Sequence, residues 1–166
     1  MSLQEISDTF MLGVKGAMPA VILLALAYPL NALSKDMGTA NFIINVTKSF
    51  LTPEFLPVVI FGVSALMSFS TGSSWGTFAI CMPIALPLAF NASGNEVTTL
   101  VAVCFAAVAG GGVFGDHCSP VSDTTILSSM GAASDHIDHV KTQLPYALTV
   151  ATACMIVYLI IGFLIV

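Results

Sequence analysis

The chain has 166 residues, of which 57% are hydrophobic and only 8% charged, and its mean hydropathy is +0.97. Soluble domains carry about 25% charged residues, so the composition excludes an ordinary soluble domain and specifies an integral, multi-pass membrane protein. A net charge of −5 with no basic patch excludes nucleic acid as a partner and leaves the lipid bilayer as the obligatory one.

The amino terminus, MSLQEISDTF, is acidic, whereas a secretory signal opens with a basic region. A spanning helix needs about 20 apolar residues. Gly16 to Leu33 supplies one span, with Pro19 and Pro29 inside it. Ser34 to Glu54 is more polar, and the spacing of Phe42, Val46 and Phe50 suits a short interfacial helix, the alternative being a loop with scattered apolar residues. Phe55 to Phe69 and Phe78 to Phe90 are apolar but short for a hydrocarbon core of about 30 Å. Between them lies SFSTGSSWGT, so the pair predicts a re-entrant hairpin or a broken span.

Val97 to Phe114 is nearly long enough to span, and Ile126 to Ala133 continues it briefly after a polar interruption. SDHIDHVKTQ then reads as a charged loop, and the 23 residues from Leu144 to Val166 as an uninterrupted last span. The spans are helical, because backbone amides in lipid must pair within their own segment, and a β-barrel would show alternation. Lys15, Lys35, Lys48 and Lys141 lie too far apart to set a positive-inside bias. Cys81, Cys104, Cys118 and Cys154 form no CxxC pair and imply neither disulfides nor zinc.

The interruption is GGGVFGDHCSPVSDTT, from Gly110 to Thr125. Gly110, Gly111 and Gly112 predict a helix end, and Ser119-Pro120 a new start, with Ser119 as N-cap and Pro120 at the first helical position. Two half-helices would then face a gap within the membrane, offering freed carbonyls and amides. Asp116, His117, Ser119, Ser122, Asp123 and Thr124 fall into that gap. A charge at mid-membrane costs roughly 2.5–3.5 kcal/mol on insertion scales, so two aspartates need protons, partners or a cation. Carboxylates, hydroxyls and carbonyls are hard oxygen ligands suited to hard cations. An aspartate that holds either a proton or a cation, but not both, is the core of an exchanger. The bland alternative is an interfacial loop in which Asp116 and Asp123 only cap helices. His117 reads equally as a proton relay or a hydrogen-bond brace, and Cys118 as packing.

The second break, Ser68 to Thr77, has no carboxylate but offers Ser70, Thr71, Ser73 and Ser74 around Gly72. These could complete a cation site or receive a substrate carboxylate; otherwise small residues let helices pack closely. A third cluster, Asp135-His136-Ile137-Asp138-His139, has metal-like i, i+3 spacing, yet a solvated polar face is the usual explanation and a pH-sensing role the sharper one.

GDHCSPVSDTTILSS, from Gly115 to Ser129, closely resembles the signature of the NhaC-type sodium/proton antiporter family. DHIDHVKTQLPYAL, from Asp135, is similar to the segment that follows it there, and STGSSWGTFAICMPIALPLA, from Ser70, to that family's hairpin region. The resemblance implies an all-α polytopic fold of inverted repeats, each with a re-entrant hairpin and a discontinuous helix. This chain would contribute about four to six transmembrane or half-membrane helices. Residues 1–166 would be a single transmembrane domain, the C-terminal half of a larger transporter in the plasma (inner) membrane. A missing N-terminal half or partner subunit is then expected, and a homo-oligomer is compatible with it.

The resemblance implies exchange of sodium, or another monovalent cation, for protons, with no cofactor beyond those transported species. Asp123 is the expected cation and proton ligand and Asp116 its assistant. Ser119, Ser122 and Thr124, with Thr71, Ser73 and Ser74 from the hairpin tip, would supply oxygens. His117, Gly112, Gly115 and Pro120 would support them. Some relatives exchange organic acids such as malate and lactate, which is the main alternative. Two further readings are a membrane hydrolase built on Asp116, His117 and Asp123, and a non-transporting structural subunit.

Overall fold

The computed structural model describes residues 2–37 and 52–166. The interfacial helix expected around Phe42 to Phe50 lies outside the described residues. Among those described, the chain is all helix and turn, with no strand. The elements are α1 (Leu3–Asp36), a 3-10 turn (Pro53–Phe55), α2 (Leu56–Thr71), α3 (Ser74–Ala92), α4 (Thr99–Cys118), α5 (Asp123–Gly131) and α6 (His136–Ile165). Among the described residues four segments are long and apolar enough to cross a membrane: Pro53–Thr71, Ser74–Ala92, Thr99–Cys118 and His136–Ile165. This is a polytopic membrane protein with one short half-helix, α5.

The hairpin of α2 and α3 turns in two residues, tighter than the composition of SFSTGSSWGT suggested. Gly72 takes the left-handed conformation (φ 67°) that ends α2, and its amide donates to Ser68 O. Ser73 caps α3 by accepting from the Gly76 amide at 3.2 Å. Most of the hydroxyl-rich stretch is therefore helical, which brings the hairpin helices up to spanning length.

The closest helix pair is α2 against α4, and the glycines decide it. A Cβ on Gly111 would meet Phe61 O at 2.5 Å and Ala65 N at 2.9 Å, and one on Gly115 would collide with the backbone at Ser68 and Phe69. Small residues at i and i+4 let two backbones touch, the usual device for helices without a hydrophobic drive between them. Ser68 Oγ donates to Gly112 O across this seam. The core grows from the same contact: Leu56, Ile60, Phe61, Cys104, Ala107 and Val108, with Cys81, Ala85 and Ala89 of α3 and Ala151 of α6. All four cysteines are free thiols.

Three boundaries differ from expectation. The glycines at 110–112 do not end a helix; α4 runs through them to Cys118. Their flexibility costs helix stability, but their missing side chains are what the α2 contact requires. The helix stops where proline dictates. A residue before proline avoids the α conformation, and Ser119 is extended at φ −71°, ψ 136°. The next helix begins at Asp123 rather than Pro120, because Ser122, not Ser119, supplies the cap, accepting from the Thr124 amide at 3.2 Å. Finally, HIDHVKTQ is not a loop but the first two turns of α6. Asp135 caps it by accepting from the amides of Ile137 and Asp138 at 2.9 and 3.1 Å.

Candidate functional site

The hairpin tip, the end of α4, the break Ser119–Ser122 and α5 converge on Asp116. A Cβ on Gly72 would lie 2.7 Å from the Val121 carbonyl group, so the tip is seated directly on the break. Ser119 is buried and its hydroxyl donates to Phe69 O at 2.6 Å, fixing the break to α2. A Cβ on Gly112 would collide with the ring of Phe78, so this glycine admits α3 close to α4.

Asp116 occupies the last turn of α4 and is half-buried. Its Oδ2 accepts from Ser74 Oγ at 3.0 Å and its Oδ1 from Ser122 Oγ at 2.6 Å. Thr124 Oγ1 lies 2.8 Å from Ser122 Oγ and donates to Asp116 O at 3.1 Å. Thr125, buried, donates to the carbonyls of Asp116 and His117 at 3.3 and 3.0 Å. The carboxylate thus accepts from two hydroxyls, at the start of α3 and in the break, and a third hydroxyl at the start of α5 holds Ser122 and the Asp116 carbonyl. Among the described residues the one ion pair is exposed, Lys141 with Asp138 at 3.7 Å, so Asp116 has no counter-ion.

The predicted residues separate into three groups. Asp116, Ser74, Ser122 and Thr124 form the oxygen cluster. Ser119, Pro120, Gly112 and Gly115 build its frame. Asp123, Thr71, Ser73 and His117 stand apart. Asp123 is exposed, and its Oδ1 accepts from the Thr124 amide at 2.9 Å. Thr71 donates one turn back to Met67 O at 2.9 Å, and Ser73 is committed to its cap. His117 turns away to α6, where Gln143 Nε2 lies 2.9 Å from its Nε2 and donates to its carbonyl at 3.0 Å. Together they close one end of a cavity of about 320 Å³ walled by Phe61, Phe114, Tyr146 and Tyr158. Among the described residues no three His, Cys, Asp or Glu side chains come together to hold a metal, those of the Asp135–His139 cluster included.

Sequence reasoning missed Thr125, Gln143 and the bracing of the break by His136. Thr125 carried a signal, as a hydroxyl one position beyond the residues chosen. Gln143 carried only its place, the last polar residue before the apolar run of α6.

The chain is matched over residues 1–163 by the model of the Na+/H+ antiporter family. It is 48% identical to an uncharacterised protein of Haemophilus influenzae over 98% of this chain and 30% of that one. It is 24% identical to the malate-2H+/Na+-lactate antiporter of Bacillus subtilis over 98% of this chain and 34% of that one. Against the Na+/H+ antiporter NhaC of Alkalihalophilus pseudofirmus the identity is 27%, over 90% of this chain and 31% of that one. No solved structure matches significantly. The chain spans about a third of the length of the curated relatives it matches. An apolar helical bundle broken at one carboxylate, and a family match along nearly its whole length, lead to one assignment: the chain belongs to the Na+/H+ antiporter family.

Proposed function

We infer that the chain is the part of a secondary active antiporter that carries the shared cation and proton site, exchanging sodium or another monovalent cation for protons across the plasma (inner) membrane. The remainder of the transporter, or a partner subunit, completes it. The carrying observation is Asp116, a half-buried carboxylate with two hydroxyl donors and, among the described residues, no counter-ion.

The mechanism follows from hydrogen-bond bookkeeping. An ionised carboxylate only accepts, and Ser74 and Ser122 both donate to it. A proton on either carboxyl oxygen reverses one of those bonds, because that oxygen now donates. A sodium ion instead takes the carboxylate oxygens and the hydroxyl lone pairs, all hard ligands. Proton and cation claim the same oxygens, so loading one expels the other, and lowering the pH weakens sodium binding by competition. Asp123, exposed at the start of α5, stands outside this cluster and accepts from the Thr124 amide. No bond in a substrate is broken; the chemistry is transport, and His117 hydrogen-bonds to Gln143 rather than to a nucleophile.

The organic-acid reading draws on the relative that carries malate and lactate. The hydroxyl-rich tip from Ser70 to Thr77 motivated it, and two of its hydroxyls, Ser70 and Thr71, are spent on carbonyls one turn back. The test is proton flux in sealed vesicles after a sodium pulse, using a transporter of the relatives' full length that contains this chain. Sodium-driven flux that falls to background in Asp116→Asn is the expected result. Flux unchanged in rate and sodium affinity would reject the site. Flux that needs malate or lactate would transfer the assignment to the organic-acid exchanger.

A further inference from the structure

The break Ser119–Ser122 positions Ser122, which holds Asp116, yet it is irregular chain. A side chain from the far side of α5 reaches back to it. His136, the first residue of α6, sets Nε2 2.7 Å from Pro120 O and Nδ1 3.2 Å from Ser129 Oγ. Ser129 is buried, and its hydroxyl also lies 2.8 Å from Ile126 O.

These partners constrain the ring. A carbonyl only accepts, so Nε2 carries hydrogen in either protonation state. Ser129 has a single hydrogen and two claimants. In a neutral His136, Nδ1 accepts, so it competes with Ile126 O for that hydrogen. In the imidazolium, Nδ1 donates to Ser129 Oγ, the serine turns its hydrogen to Ile126 O, and all three bonds form at once. The charged ring therefore ties the break, the end of α5 and the start of α6 into one unit.

The titratable groups around this position are few. On α6 they are His139 and Asp138, the latter paired with Lys141, with Asp135 in the cap. The end of α4 brings Asp116, His117 and Cys118, and α5 brings Asp123. On the 3-10 turn, Glu54 lies at the opposite end of α6, against Gly162.

We propose that His136 is a positioning residue for the cation site: its Nε2 straps Pro120 to α6 and holds Ser122 in place, its charged form adds the bond to Ser129 that ties α5 into the same unit, and its neutral form keeps the strap but loosens α5 beside the break. The effect on cation binding rests on Asp116 being the ligand; the strap itself does not.

The experiment uses a transporter of the relatives' full length that contains this chain, in lipid nanodiscs. Nitrogen-15 spectra of histidine report ring protonation, amide hydrogen exchange at Ser122 and Ile126 reports the break, and sodium-23 relaxation reports binding. Amide protection, corrected for intrinsic exchange, should fall about tenfold as the nitrogen-15 spectra show His136 losing its proton. His136→Gln keeps a donor for Pro120 and should hold protection constant with pH. His136→Phe should lower protection throughout and weaken sodium binding. If that variant fails to insert, Ser129→Ala carries the test: it keeps the Pro120 bond and should erase most of the step. Flat protection in the wild type, or an unchanged step in Ser129→Ala, overturns the proposal. A protection step without any sodium binding would support the strap and remove Asp116 as the cation ligand.

Discussion

At the residue scale, Asp116 differs from every other acid described because its oxygens are shared among α3, α4 and the break. The hydroxyls around it are interchangeable in type but not in place. Ser74 and Ser122 each touch the carboxylate, whereas Thr71 donates within its own helix. A net hydrogen bond to a charged group contributes about 1.5–3 kcal/mol. Ser74→Ala and Ser122→Ala should therefore each weaken sodium affinity by roughly 10- to 100-fold. Thr71→Val should leave it within about twofold, since that hydroxyl only returns to its own helix. Sodium titration monitored by proton release distinguishes the three.

At the element scale, α2 and α4 act as one body because their backbones touch. Gly111 and Gly62 make a matched pair of tests. A Cβ at Gly111 meets backbone of α2 that cannot step aside, whereas one at Gly62 meets only Met155 Cε at 4.0 Å. Gly111→Ala should destabilise the bundle by about 1–3 kcal/mol through overpacking. Gly62→Ala should stabilise it by up to about 1 kcal/mol through helix propensity. Unfolding in mixed detergent micelles reads both, and equal effects would mean that helix propensity, not close approach, governs these glycines.

At the scale of the whole molecule, the two ends of the bundle are marked by separate contacts. Phe55 packs edge-to-face on Phe163 at 5.3 Å, setting the start of α2 beside the end of α6. At the other end His117 meets Gln143, where charged HIDHVKTQ gives way to the apolar run from Leu144. The hairpin tip and Asp116 therefore sit level with the boundary of that run rather than halfway along it. Trp75, the single tryptophan, is 56% exposed beside the tip. Tryptophan favours the headgroup level, so lipids brominated near the headgroup should quench its fluorescence more strongly than lipids brominated deep in the chain. The reverse ranking would put the tip, and the site with it, near the midplane.

The sequence by itself determined the class and where the polar interruption lies. Composition alone excludes a soluble domain, because so few charges cannot cover a water-facing surface. The run from Gly115 to Thr125 marked the polar interruption, because acids and hydroxyls between apolar flanks are costly without a task. Ser119-Pro120 also placed the break to within a few residues, because proline constrains the residue before it. What only the tertiary structure decided was which acid gathers the hydroxyls and what the glycines do. Asp116 and Asp123 look alike in the chain, and the sequence favoured Asp123. Packing gives the hydroxyls to Asp116, because Ser74 arrives from 42 positions away through the hairpin. Glycine in isolation reads as a helix terminator. Against a second helix it reads as a place where backbones touch, and that distinction exists only once α2 lies on α4.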